Sequence, residues 1–128
     1  EATLSPPAPL TREILGPDKL LAPEQAVLLE PDPVEARQIA RGHTAIYLDL
    51  PNYMINLRRF GITDDDIADG GSDRLVDTLV AWGDVDAVRA RVQAHLDAGA
   101  DHVAVQVLTP ERGTLPLDEW RKLAPALL

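Results

Sequence analysis

Apolar residues in this chain change their spacing several times, and each change predicts an element. The pattern is sharpest from Gly83 to Leu108 (GDVDAVRARVQAHLDAGADHVAVQVL). Asp84 can cap a helix whose apolar positions Val85, Val88, Val92 and Leu96 recur every three or four residues, and Gly99 supplies a left-handed stop. The period then changes. Val103, Ala104, Val105, Val107 and Leu108 form a run that is apolar on both faces, the pattern of a strand covered on both sides in a parallel sheet. Glu24 to Glu30 (EQAVLLE) is the other segment that reads as a strand. A helix feeding a buried-type strand predicts an α/β fold.

The remaining segments read as helices and their punctuation. Residues 1–9 are Pro-rich and predict an irregular tail. Leu10 to Leu15 predicts a short helix ended by Gly16-Pro17. Asp32-Pro33-Val34-Glu35 is a helix start with Asp at the cap, Pro at the first helical position and Glu placed to complete a capping box. Ala36, Ile39, Ala40, His43, Ile46, Tyr47 and Leu50 continue as an apolar stripe, which Pro51 ends or bends. Asn52 to Phe60 predicts a further helix with Tyr53, Leu57 and Phe60 on one side, closed by Gly61. Thr63 followed by Asp64, Asp65 and Asp66 reads as an acid-rich helical turn. Gly70-Gly71 is a hinge or turn. Ser72 caps a helix burying Leu75, Val76, Leu79 and Val80, with Gly83 as its end, and Pro116 starts a last helix with Leu117, Trp120, Ala124 and Leu127 inward.

Two buried-type strands with several helices between them make an unusual α/β pattern. One helix is the ordinary connection between parallel strands, so residues 32–82 read as a helical insertion. Two strands cannot close a sheet, and both edges would stand unpaired. The pattern therefore predicts part of a larger domain, or a chain that associates to cover its sheet. The start at Glu1 agrees with that expectation.

Composition removes several chemistries. The 128 residues include no cysteine, which excludes disulfides, thiolate metal sites and cysteine nucleophiles. A formal charge of -9, from 21 acids against 12 bases, argues against a nucleic-acid partner. No apolar run approaches a membrane span and no charged-then-apolar leader opens the chain, so a soluble cytoplasmic protein with no membrane partner is expected. His43, His95 and His102 are scattered without carboxylates at ligand spacing, and no metal site is predicted.

The segment Leu50 to Gly61 (LPNYMINLRRFG), followed by Asp73-Arg74-Leu75-Val76-Asp77 and Trp82-Gly83-Asp84, resembles the carboxyl-terminal part of luciferase-like monooxygenases. It is most similar to the subgroup that depends on the deazaflavin coenzyme F-420. The run from Ala98 to Leu108 (AGADHVAVQVL) is similar to the family's turn into its last barrel strand. The resemblance implies that residues 10–128 are the C-terminal part of a TIM-type (β/α)8 barrel, with Glu24 to Glu30 as the seventh strand and Val103 to Leu108 as the eighth. Coenzyme F-420, or alternatively FMN, would carry hydride to or from a small organic substrate. The first six strands would be missing, so the intact barrel is expected to be the oxidoreductase and this chain alone to be inactive. A homo-oligomer, or association with the missing N-terminal part, is the expected assembly.

Candidate site residues follow, each with a structural alternative. Asn52 and Asn56 lie one helical turn apart and can face one pocket; capping and helix-helix hydrogen bonding are the alternatives. Tyr47 and Tyr53 can wall a pocket or fill core. Arg58 and Arg59 can meet an anionic coenzyme tail or pair with Asp64 to Asp66 across Gly61. Gln106, the polar side chain inside the second strand, can face a barrel lumen or form a packing hydrogen bond. Thr109 and Arg112 follow that strand, on the face where barrel enzymes bind phosphate. His43 reads as a packed or partly exposed residue of its stripe rather than an acid-base group, His95 as a helix-surface residue and His102 as a strand-entry residue. The competing reading of the whole is a non-catalytic α/β fragment or subunit that acts through association.

Overall fold

The strand β1 (Glu24–Leu28) is buried along almost its whole length, and the other elements are arranged around it. Residues 8–128 are described by a computed structural model. Their order is α1 (Ala8–Leu15), β1, α2 (Pro33–Leu48), α3 (Pro51–Arg59), α4 (Asp64–Ile67), a 3-10 turn (Ala68–Gly70), α5 (Asp73–Leu79), β2 (Val80–Trp82), α6 (Val85–Asp97), β3 (Ala104–Val107) and α7 (Leu117–Leu127). The expected tail falls mainly outside the described residues; α1 begins at Ala8, two residues before the predicted start.

Among the described residues the sheet has three parallel strands in the order β2-β1-β3. Ala26 pairs in register with Val80 on one side and Gln106 on the other. Side chains alternate across a strand, so β1 sends Ala26 and Leu28 to one face and Gln25 and Val27 to the other. Ala26 and Leu28 pack with Ala36 and Ala40 of α2, Val76 of α5, Val80 and Leu108. Val27 packs with Ala81, Val88 of α6 and Leu123 of α7. Helices thus cover both faces, as a parallel sheet requires. No helix among the described residues is long and apolar enough to cross a membrane.

The α/β class and the parallel pairing agree with the sequence pattern, but the strand count does not. Val80 leaves the predicted helix and opens β2, and Gly83 ends that strand rather than the helix. Helical spacing and a three-residue strand look alike when both are apolar; pairing with β1 decides the matter. A barrel sets successive strands side by side with all helices outside. Here the second strand in sequence stands at the far edge and helices lie on both faces. The strand expected to be covered on both sides, β3, is an edge strand: Ala104 and Gln106 are exposed while Val105 and Val107 are half-buried. The cover of α2 reaches β1 and β2 and leaves that face of β3 open.

Local chemistry explains the helices that position the insertion. Asp32 caps α2 by accepting from the Val34 and Glu35 amides, while the reciprocal bond to its own amide comes from Glu30 and not from Glu35. The inward row of α2 is Ala36, Ala40 and Thr44, narrower than the predicted stripe; Ile46 and Leu50 are exposed. Thr63 and Asp66 form a reciprocal capping box at α4, and Asp66 also accepts from the Ser72 hydroxyl and the Arg74 guanidinium. The Thr63 amide, then the Ser72 hydroxyl, hold the Asp66 carboxyl down at a pKa of about 2. Gly71 adopts φ 107°, which an L side chain rarely accepts, and an added Cβ would stand 3.1 Å from a Leu75 methyl.

A polar lock joins α2, α5 and β2. Arg37 donates in bidentate fashion to Asp77 at 3.0 and 2.7 Å, and the Trp82 indole donates to the same carboxylate at 2.7 Å. The Arg37 guanidinium lies 5.3 Å from the centre of the Trp82 ring. Burial alone would raise the Asp77 pKa, but the bonds from Arg37 and Trp82 outweigh it and hold it below the ordinary carboxylate value. The last helix differs from expectation. Its buried residue is Leu123, whereas Leu117 and Trp120 are exposed.

The insertion has its own small core of Leu57, Ile62 and Leu75, with Leu48 and Phe60 against it. Leu75 is fully buried. Leu75→Ala is expected to lower unfolding stability by about 3 kcal/mol in urea titration, whereas Ile55→Ala, at an exposed position, should change it by less than about 0.5 kcal/mol. Equal effects of the two variants would contradict this packing.

Candidate functional site

Two adjacent clefts lie along one flank of α2. The first, of about 590 Å³, is lined by Glu24, His43, Tyr47, Asn52, Tyr53 and Asn56, with Leu57, Phe60 and Leu79 among its apolar walls. That volume is in the range of small-molecule sites. The second, broader cleft is lined by α2 and its cap, by the end of β3 and by the loop after it, among them Asp32, Glu35, Gln106, Thr109 and Arg112. His43 and Tyr47 line both.

The path of α2 explains this division. The helix starts just after the carboxyl end of β1 and runs 16 residues, roughly 24 Å. That length returns the chain to the amino end of the sheet, where Pro51 starts α3. The first cleft therefore opens beside Glu24, Gln25 and Ala26, at the start of β1, and beside Thr78 and Leu79, just before β2. The second lies at the carboxyl end of β3, next to the boundary between β1 and β3. That boundary is where the direction of strand order reverses, the usual ligand crevice of an open α/β sheet. The candidates thus separate: Tyr47, Asn52, Tyr53 and Asn56 gather in one cleft, and Gln106, Thr109 and Arg112 in the other.

Within the first cleft the rings form a connected row. Tyr47 and Tyr53 have centroids 4.8 Å apart at 52°, and His43 meets Tyr47 edge-on at 5.3 Å and 65°. Both Tyr47 and His43 are half-buried, and Tyr53 is 42% exposed, so these rings form a wall and not core. Burial, reinforced by Glu24 and Tyr53, raises the Tyr47 pKa, which keeps its hydroxyl protonated as a donor at neutral pH. Burial lowers the His43 pKa, and the opposing field of Glu24 only partly offsets it. Asn52 is not a cap: Leu50 holds that position, with no side-chain capping bond. Both amides lie in the exposed part of α3 at the cleft.

Other candidates have structural roles or lie elsewhere. Arg58 pairs with Asp64 at 2.9 Å, outside both clefts. Arg59 is exposed and also lines neither cleft. Arg112 donates to the Gly42 carbonyl at 3.1 Å, Thr109 to the Glu111 carbonyl at 2.7 Å, and Gln106 is exposed on β3. Among the described residues, no three His, Asp or Glu side chains cluster closely enough to hold a metal ion. Pattern reading missed Glu24, an acid at a strand start, because its proximity to His43 and Tyr47 exists only once α2 has folded back.

His95 is a correction of another kind. It is buried, not on the helix surface, with Nε2 2.9 Å from the Gln25 Oε1. The Gln25 amide nitrogen donates to the Ala26 and Leu79 carbonyls, so its oxygen must accept and His95 must carry its proton on Nε2. The inward row of α6 is therefore Val85, Val88, Val92 and His95, the last replacing Leu96, which is exposed.

No protein-family model matches this chain, and no match was found among curated proteins or among solved structures.

Burial, then the nearby Arg91, lowers the His95 pKa. A histidine with a folded pKa below its unfolded value contributes fully above about pH 6.5 and loses that contribution as pH falls toward the folded value. His43 acts with the same sign. The urea midpoint should therefore fall between pH 7.5 and pH 5.5, and His95→Gln should flatten the decline. A midpoint that rises on acidification over this range would refute the neutral, buried state of His95.

Proposed function

We propose that this chain contributes the substrate-facing wall of a luciferase-like oxidoreductase, in which a flavin or deazaflavin coenzyme passes hydride to or from a small organic substrate. What supports the reading is the convergence on one cleft of Asn52, Tyr53 and Asn56 from the Leu50 to Gly61 segment and of Tyr47, three residues before it. The rings offer a flat apolar surface. The amides and the protonated Tyr47 hydroxyl offer hydrogen bonds that orient what lies on it.

The coenzyme is a separate question of fit. FMN and F-420 each join a planar ring to an anionic tail, and the tail calls for cations or a cradle of amides. No Lys or Arg lines the first cleft, Arg58 is paired outside it, and Arg112 in the second cleft stands among Asp32 and Glu35. These residues do not fit the anionic part of either coenzyme. In this proposal the coenzyme is held by the rest of the barrel and only the substrate meets this chain.

The barrel is the finer part of the proposal. Numbered as the resemblance has them, β1 and β3 would be the seventh and eighth barrel strands and therefore neighbours, in keeping with their parallel pairing, whereas β2, on the other edge of β1, has no place in that numbering. Spectral titration of this chain with F-420 and with FMN is expected to show no tight binding, whereas the full barrel should bind one of them. In that barrel, Asn52→Ala combined with Asn56→Ala should reduce turnover by about tenfold with an unchanged melting temperature. Unaltered turnover would remove the amides from the substrate wall.

A second reading is favoured by one observation. Among the described residues, the open face and free edge of β3, next to exposed Val34 and Ile46 of α2, leave sheet surface without cover. A non-catalytic subunit acting through association would use this face. Light scattering separates the readings, since concentration-dependent dimerisation without any ligand binding would favour association.

A further inference from the structure

We infer that the first cleft selects organic cations carrying an aromatic or apolar body and rejects anions of the same shape. The inference rests on the reading of this cleft as a ligand wall, and it does not depend on the redox chemistry. Three features of the cleft carry it.

The first is charge. Among the described residues Glu24 is the one carboxylate in the lining, and no Lys or Arg lines the cleft. It takes part in none of the ion pairs among the described residues. Glu24 lines the same cleft as His43 and Tyr47, so its carboxylate and the ring row border one space. The chain as a whole carries a formal charge of -9, so the background field also favours cations.

The second is the rings. Tyr47 and Tyr53 meet at 52° with centroids 4.8 Å apart, an open angle that presents aromatic surface from two directions. Aromatic faces attract ammonium groups through the ring quadrupole, and tilted aromatic walls beside a carboxylate are the usual surroundings of alkylated ammonium ligands. His43 does not reverse the sign, because burial, the largest influence on it, favours the neutral ring.

The third is the rest of the lining. Leu57, Phe60 and Leu79 bury the body of a ligand, while Asn52 and Asn56 supply neutral donors and acceptors. An anion entering here would lose its water and meet a carboxylate with no cation to compensate, a combination that costs more than the rings return.

The test uses three small probes of similar shape: benzyltrimethylammonium, benzyl alcohol and phenylacetate. Tyr47 and Tyr53 are the only tyrosines in the chain, so tyrosine ring signals in proton NMR report this cleft directly. Saturable shifts of both rings are expected with benzyltrimethylammonium, weaker shifts with benzyl alcohol, and none with phenylacetate. Glu24 is exposed, so Glu24→Gln should keep the fold. It should weaken the cation by about threefold to fivefold, the size expected of an exposed charge contact, and leave benzyl alcohol unchanged. Tyr53→Ala should weaken both. Binding of phenylacetate as tight as that of the cation, or a cation affinity indifferent to Glu24→Gln, would overturn the charge selectivity and leave the cleft a ligand site. Failure of all three probes to shift the tyrosine signals would overturn both this inference and the reading of the cleft as a ligand wall. Absence of hydride transfer in the intact barrel would overturn the redox proposal and leave the cation selectivity standing.

Discussion

Two-sided burial of β1 is the constraint on which the rest depends. Val27 is inaccessible to solvent and Leu28 nearly so, yet they point to opposite faces. A strand of this kind is stable only with an apolar layer above and another below, and with neighbours on both edges to satisfy its backbone. The chain provides all four: α2 and α5 on one face, α6 and α7 on the other, β2 and β3 at the edges. The one polar side chain that β1 buries, Gln25, is accommodated by full hydrogen bonding to His95 and to the Ala26 and Leu79 carbonyls.

Placement of the clefts follows from that layering. Because α2 covers β1 and β2 but not β3, it leaves an open flank between itself and the edge strand. Because it runs the full depth of the sheet, its last turn carries Tyr47 to the opposite end, where α3 turns across and encloses the first cleft. The lock among Arg37, Asp77 and Trp82 fixes α2 against α5 and β2, so the ring-bearing end of α2 stands on a supported element. Removing one partner from such a partly buried network costs more than the intact network contributes, because a desolvated charge is left behind.

Much of the fold was legible because local signals agree with it. Caps at Asp32, Ser72 and Asp84, and positive-φ glycines at Gly61 and Gly99, mark real boundaries. The first cleft was partly legible as well. Asn52 and Asn56 lie one helical turn apart and could face one pocket, Tyr47 and Tyr53 could wall one, and the four do line a single cleft. Pairing of Arg58 with Asp64 is the plainer of its two alternatives and the one the structure has. Three things were not legible. A strand as short as Val80–Trp82 has too few residues to display a period of two. The inward turn of His95 depends on Gln25, seventy positions away in sequence. The part played by Glu24 depends on a helix that returns to the start of β1.

By itself the sequence determined the class of the fold, the caps and stops of its helices, the absence of cysteine chemistry and the acidic charge, since each is set by residue type or by neighbours within a few positions. Tertiary structure alone decided the strand order, which strand is central and which lies at the edge, and which candidates share a cleft. Those outcomes depend on which apolar surfaces cover one another, and that choice is made between segments far apart in the chain. The chemistry implied by the resemblance of Leu50 to Gly61 and of Ala98 to Leu108 stays a proposal. The folded path of α2 decides that Asn52 and Asn56 face Glu24 and the two tyrosine rings rather than a cationic cradle.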